Sequence, residues 1–317
     1  MKKLLAGLIA IVAGVFYVTH SHAAAPQLKG QAPGYYRMML GDFEIVALSD
    51  GTLEMPVTKL MTNTTPARVE QMLKRSFLTD PVELSVNGYL VNTGSKLVLI
   101  DTGAGSLFGP TLGSLIANLK AAGYQPEQVD EIYITHLHGD HVGGVMAGDK
   151  LAFPNAIVRV DKRDAEFWLS QTTMDGAAQD QKDYFKGAMM SVNPYAAAGK
   201  FKPFDGSGEL VPGISAVAAY GHTKGHTMFI VESKGQKLVV MGDLMHVAAV
   251  QFPQPSATVS FDTDSKMAAV QRKKLYADAA KRGYWLAAAH VSFPGIGHLR
   301  SEGSGYVFVP VNYGIVR

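Results

Sequence analysis

The chain has 317 residues, 47% hydrophobic and 18% charged, with 33 glycines and 15 prolines; that mixture supplies a large core and many turns, and it excludes a disordered or fibrous chain. It has no cysteine, so neither a disulfide nor a thiolate metal ligand is available. The formal charge of +2 becomes zero once residues 1–23 are set aside, because they hold two of the 29 basic residues and none of the 27 acidic ones; a neutral chain has no broad electrostatic footprint for nucleic acid.

Lys2 and Lys3, the apolar run Leu4 to Val18 and the small residues around Ser21-His22-Ala23 stand in the order of a secretory signal peptide. The expected organisation is a leader over residues 1–23 and a single domain over 24–317, periplasmic or secreted and with no stable membrane anchor after cleavage. The apolar run is short for a spanning helix of about 20 residues. Strands are expected over Tyr35–Leu48 and Leu53–Val57, around turns at Gly41-Asp42 and Asp50-Gly51. Thr65 to Phe77 has helical spacing, with Pro66 in its first turn. Asn87–Val91 and Leu97–Ile100 form a hairpin-like pair, and Leu112–Ala122 a helix with Leu115, Ile116 and Leu119 on one face and Gly123 as its stop. Glu131-Ile132-Tyr133-Ile134-Thr135 reads as a buried strand. Lys162 to Lys200, where Phe167, Trp168, Tyr184 and Phe185 stand among polar residues, shows no regular pattern. Beyond it the plan repeats: short strands through Phe261, a helix from about Ser265 to Lys281 and a strand ending at His290. No sequence repeat or coiled-coil heptad is present. Helices after strands in both halves imply an α/β fold, two sheets face to face with helices outside: an αβ/βα four-layer sandwich.

The chemistry is concentrated directly after the strand at Glu131–Thr135. His136-Leu137-His138-Gly139-Asp140-His141 places three imidazoles and a carboxylate within six residues, and these are ligands that suit zinc and its first-row neighbours. Alternate side chains of a tight loop face two adjacent ions, His136 and His138 towards one, Asp140 and His141 towards the other. Other strand-like runs end in further ligands: Ile214–Tyr220 in Gly221-His222-Thr223-Lys224-Gly225-His226, Lys237–Met241 in Gly242-Asp243, and Tyr284–Ala289 in His290. One ion would take His136, His138 and His222, the second Asp140, His141 and His290, with Asp243 bridging. Three protein ligands each, plus the bridge, leave a position for water, the mark of a catalytic site. No G-x-S-x-G elbow is present, which disfavours a serine nucleophile.

These motifs in this order, with Leu97-Val98-Leu99-Ile100-Asp101-Thr102-Gly103 upstream, resemble the metallo-β-lactamase fold. Gly242–Phe252 and Phe293-Pro294-Gly295-Ile296-Gly297-His298 are similar to its methyl parathion hydrolase branch. The resemblance implies an exported hydrolase with two divalent ions per chain, zinc first among those that fit, and a metal-bridging hydroxide that cleaves neutral esters: organophosphate triesters, or in the alternative lactones such as acyl-homoserine lactones. It implies a small-molecule substrate, no nucleic-acid partner, and a homodimer. Asp140 and Asp243 would serve catalysis as well as metal binding. Phe108, Trp168 and Phe185 would wall the leaving-group pocket. His246, three residues after Asp243 where lactonases of this family place a tyrosine, is either a donor to the developing oxyanion or a packed residue. The second histidine of the G-H-T-x-G-H motif, His226, is expected to buttress the site, and His298 to bond a loop or touch substrate.

Overall fold

The computed structural model describes residue 25 and residues 27–316; the expected leader, residues 1–23, lies outside them. Two sheets organise residues 33–316, and each is laid down in chain order. The first contains β1 (Tyr35–Leu40), β2 (Phe43–Met55), β3 (Val82–Asn92), β4 (Leu97–Ile100), β5 (Glu131–Tyr133) and β6 (Ile157–Arg159). It is antiparallel as far as β4 and parallel from β4 to β6. The second contains β7 (Gly208–Val211), β8 (Ile214–Ala218), β9 (Thr227–Ser233), β10 (Gln236–Val240), β11 (Trp285–Ala287), β12 (Ile296–Glu302) and β13 (Gly305–Pro310). Only β10 and β11 run parallel, joined by a crossover through a long helix.

Strand parity assigns each side chain to a layer. On β2, Ile45 and Ala47 meet Tyr89, Val91, Val98, Ile100, Phe229, Val231, Leu238 and Val240 in the core between the sheets. Their neighbours Val46 and Leu48 point outward, with Leu90, Leu99 and Ile132, against helices. On the second sheet Val239 and Leu286 likewise point outward, onto Leu275, Tyr276 and Ala279. Strands covered on both faces are apolar at every position rather than at alternate ones, which is why these runs read as continuous. The result is the four-layer αβ/βα sandwich.

Five helices matter for the site: α1 (Pro66–Arg75), α2 (Leu115–Ala121), α3 (Lys162–Trp168), α4 (Lys182–Ala197) and α5 (Ser265–Arg282). The caps explain their limits. Thr65 accepts from the Arg68 N–H and Asp264 from the Met267 N–H, while Gly283 ends α5 at a left-handed φ of 69°. Helix α2 begins later than its apolar spacing suggests, because Gly113 sits at φ 90°.

Two expectations are corrected. Asp50-Gly51 is no turn: β2 runs through it with a register shift between Ser49 and Gly51. The buried Asp50 carboxylate accepts the N–H groups of Ala104, Gly113 and Leu115, so this bulge anchors a distant loop. The irregular-looking stretch 162–200 is mostly helical. Gly187 and Pro194 lie inside α4 and mask its pattern, yet Phe185, Ala188, Val192 and Tyr195 form a buried face.

Candidate metal centre

The ligand candidates share one relation to the scaffold. His136 lies three residues beyond β5, His222 four beyond β8, Asp243 three beyond β10 and His290 three beyond β11. His138 is extended (φ −73°, ψ 149°) and starts the single turn Gly139–Val142, which carries Asp140 and His141. Asp243 sits in a short turn with non-helical φ −94° and ψ 29°.

Three groups of ligand atoms converge among the described residues, His136 with His138, His222 and Asp243, Asp140 with His141 and His290, and Asp243 with His246 and His290; within each the atoms lie within 4.8 Å of one another. In the first, His138 Nδ1 is 3.0 Å from His136 Nε2 and 3.1 Å from His222 Nε2. In the second, Asp140 Oδ2 is 3.6 Å from the Nε2 atoms of both His141 and His290. Asp243 spans them. Its Oδ2 lies 3.7 Å from His136 Nε2 and 3.5 Å from His222 Nε2, whereas Oδ1 lies 3.1 Å from His141 Nε2 and 3.2 Å from His290 Nε2. Oδ1 thus faces the second group, while Oδ2 is shared, lying also 3.3 Å from His290 Nε2 and 3.0 Å from His246 Nε2.

The residues fit metal ions on grounds of their own chemistry. Asp243 Oδ1 and His141 Nε2 are buried and face each other, yet neither makes a hydrogen bond. Buried polar atoms left in this way are costly unless something else satisfies them. Burial, reinforced by the neighbouring imidazoles, holds His136, His138 and His222 well below the usual histidine range, so their lone pairs are free. His141 and His290 go the other way. Burial opposes their charge, but Asp243 and Asp140, with Asp101 acting also on His141, outweigh it and raise both. The same attraction, summed over four imidazoles, overcomes burial and holds Asp243 well below the carboxylate range. Protons here do the work of cations: the carboxylates demand positive charge.

The outward nitrogens are tethered. His141 Nδ1 meets Asp101 Oδ2 at 2.9 Å, His222 Nδ1 meets Asp262 Oδ1 at 2.8 Å, and His290 Nδ1 donates to the Ser85 carbonyl at 2.9 Å. Such partners fix the tautomer that presents Nε2 to a metal. Asp101 is itself held by the N–H and hydroxyl of Thr135, both at 2.8 Å. Asp164, fully buried and pushed up to about 6 by desolvation, accepts from the N–H groups of Leu137 and Gly225 and so ties the two histidine loops together. Sequence reasoning missed Asp101, Asp164 and Asp262 as parts of the centre.

The profile of the metallo-beta-lactamase superfamily matches residues 81–279. The chain belongs to that superfamily. It is similar to the N-acyl homoserine lactonase of Bacillus cereus, 26% identical over 212 residues, which span 61% of this chain and 76% of the relative. Among solved structures it resembles the hydrolase AbOPH (TM-score 0.86, 38% identity, 90% of this chain and 100% of the other). It also resembles AidC, described as a dizinc quorum-quenching lactonase in complex with a product (TM-score 0.82, 27% identity, 89% and 99%). The protein is a metal-dependent hydrolase of this superfamily, with residues placed for a dinuclear site.

Beside the centre of this metallo-beta-lactamase superfamily hydrolase lies a cavity of about 410 Å³, lined by Leu107, Phe108, Gly139, Tyr184, Gly187 and Met190 among others. Phe108 is there as expected, 46% exposed. Trp168 and Phe185 are not at its wall. Both belong to the core, because Phe185 falls on the buried face of α4 and packs at 4.7 Å from Trp168. Trp168 touches the site from behind, edge-on to His138 at 5.3 Å. The aromatic of α4 at the cavity is the half-buried Tyr184, one residue and about 100° round the helix from Phe185; its ring lies 5.2 Å from that of His138. A larger groove, about 600 Å³, lies between α5 and β8–β10; neither cavity is lined by a ligand candidate, but Gly139 of the smaller one stands between His138 and Asp140, so proximity rather than size marks it.

His226 has the expected buttressing place, with a specific bond. Its Nε2 accepts the Asp243 N–H at 2.9 Å and its Nδ1 donates to the Ala219 carbonyl at 3.2 Å, an arrangement that requires the neutral ring; burial lowers its pKa to about 4. His246 is buried with both ring nitrogens unbonded and Nε2 3.0 Å from Asp243 Oδ2. His298 donates from Nδ1 to the Tyr284 carbonyl and packs on Trp285 at 3.7 Å, away from the ligand groups.

Proposed function

We propose that this hydrolase opens lactones carrying an apolar acyl substituent, N-acyl homoserine lactones first, at a dinuclear zinc centre. The observation that carries the reading is Asp243, whose carboxylate lies within 3.7 Å of histidines from both groups, beside a mostly apolar cavity of about 410 Å³. Relatives bearing the lactonase name support it. His136, His138 and His222 would hold one ion, Asp140, His141 and His290 the other, and Asp243 both. Two such ions supply Lewis-acid polarisation of an ester oxygen and a water that is acidic near neutral pH. The chain's own residues do the rest. The tethers through Asp101, Asp262 and Ser85 keep the ligand nitrogens aimed. Phe108, Tyr184, Leu107 and Met190 bury the acyl chain. The unbonded His246 Nε2 is the donor available to an oxygen that gains charge.

Phosphotriester cleavage is the second reading, favoured by two aromatic rings at the cavity, Phe108 and Tyr184, which suit an aryl leaving group. Zinc-loaded protein assayed against acyl-homoserine lactones of increasing chain length, an aryl phosphotriester and a β-lactam separates the readings. The lactones should give a kcat/KM at least about tenfold above the others, equivalent to ~1.4 kcal/mol of transition-state discrimination. Fully metallated protein that turns over the triester but no lactone would reverse the order.

A further inference from the structure

Helix α5 carries a group that the metal centre does not use directly. Arg272 is 0% exposed, and its hydrogen bonds all go to main-chain carbonyls. Nε donates to Leu244 O, and Nη1 to Pro255 O at 3.1 Å and Ala257 O at 2.6 Å, while Nη2 is buried without a partner. A buried guanidinium whose hydrogen bonds all go to neutral groups, with the Asp262 carboxylate as its nearby countercharge, is an expensive filling where leucine or methionine would pack at less cost. What the three carbonyls hold therefore matters.

Leu244 directly follows Asp243. The bridging carboxylate is thus gripped on both sides, by His226 through its own N–H and by Arg272 through the next carbonyl. Ala257 O accepts a second bond, from Gln251 Nε2 at 3.1 Å, and Gln251 Oε1 accepts the N–H groups of His246 and Val247 at 2.7 and 3.0 Å. Two residues beyond Ala257, the Val259 N–H donates to Asp262 Oδ2, and Asp262 Oδ1 holds His222 Nδ1. One fork of donors therefore joins the loop of Asp243 and His246 to the segment that aims His222. Only the rigid, planar fork of arginine reaches carbonyls from both at once.

We propose that Arg272 is a positioning residue for the metal centre, a buried guanidinium that sets the register of the Asp243 bridge against the Asp262–His222 arm through main-chain carbonyls. The inference rests on the dinuclear reading above, and the test keeps the two apart by measuring zinc bound to the unsubstituted protein first. Arg272→Met and Arg272→Lys are then compared for folding by circular dichroism, for zinc affinity by chelator competition, and for kcat and KM. Arg272→Met should fold, bind at least one zinc about 10- to 100-fold more weakly, and lose kcat with KM nearly unchanged. Arg272→Lys should recover part of the affinity, since an ammonium keeps the charge without the fork. If Arg272→Met lowers the melting temperature but binds both ions as the unsubstituted protein does, Arg272 is a core strut and the proposal fails. Should Arg272→Met not fold, Arg272→Lys decides: undiminished zinc affinity there overturns the proposal equally. Failure of the unsubstituted protein to bind two zinc ions would instead overturn the dinuclear reading.

Discussion

Asp101→Asn isolates the electrostatic part of metal binding from its shape. Asp101 has φ 57°, a left-handed conformation that asparagine tolerates as well as aspartate, so the backbone should not move. One carboxylate oxygen accepts the Thr135 N–H and the other faces His141 Nδ1 at 2.9 Å and the Thr135 hydroxyl. An asparagine must keep its single carbonyl on the Thr135 N–H, which turns its NH₂ towards His141 Nδ1. The ring can accept that donor only by moving its own proton to Nε2, the atom needed as ligand. The variant therefore loses both a charge and a tautomer at the second ion while the first keeps its tethers. Loss of such a partner typically costs about 10- to 100-fold in metal affinity, or ~1.4–2.7 kcal/mol. Chelator competition that resolves two zinc ions should show the ion held by His141 weakened by this factor and the other weakened less, since the first group meets the changed one through the shared Asp243 while keeping its own tethers. Equal weakening of both ions, or of neither, would refute the argument that the outward nitrogens set the ligand tautomers.

Further outcomes follow from the site and from the sequence. Phe108→Ala and Tyr184→Ala should lower kcat/KM for long-chain lactones or aryl triesters roughly 5- to 150-fold with zinc content unchanged, from the ~1–3 kcal/mol of a lost ring contact; Phe185→Ala should instead destabilise the fold by about 3–5 kcal/mol, and a selectivity change without destabilisation would restore it to the pocket. In metal-free protein, His226 is held neutral down to about pH 4, whereas its unfolded ring takes a proton near pH 6.5, so its contribution to stability is lost as pH falls through that window, about 2 kcal/mol at pH 5; urea unfolding at pH 7 and pH 5 should show His226→Gln less acid-sensitive than the parent, and identical slopes would contradict the neutral-acceptor role. The order of charged, apolar and small residues over 1–23 predicts a mature N-terminus near Ala24 in the periplasm, which N-terminal sequencing of protein from its native host tests directly; an intact Met1 would defeat it.

Ligand candidates were legible in the sequence because they are local to strand ends. A histidine-rich loop after a buried strand announces itself, and His222, Asp243 and His290 repeat that placement. Their partners were not. Asp101 also stands at a strand end, directly after β4, but its role and that of Asp262 are non-local, since each reaches its histidine across 40 residues. The two sheets were foreseen as continuous apolar runs, but helices α3 and α4 were hidden by Gly187 and Pro194 and by polar surroundings. Without that helix there was no phase, and without phase Tyr184 and Phe185 could not be told apart, although one lines the cavity and the other the core. The bulge at Asp50-Gly51 read as a turn for a similar reason: its purpose, three backbone N–H groups on one carboxylate, is wholly non-local.

The central claim is that Asp243 joins two metal sites, and metal analysis of Asp243→Ala beside the unsubstituted protein tests it most directly. The unsubstituted chain should carry about two zinc ions, and the variant at most one, with turnover down by on the order of 10³ or more, the loss typical when a residue central to the reacting centre is removed. A variant that holds two ions and turns over at a near-normal rate would contradict it.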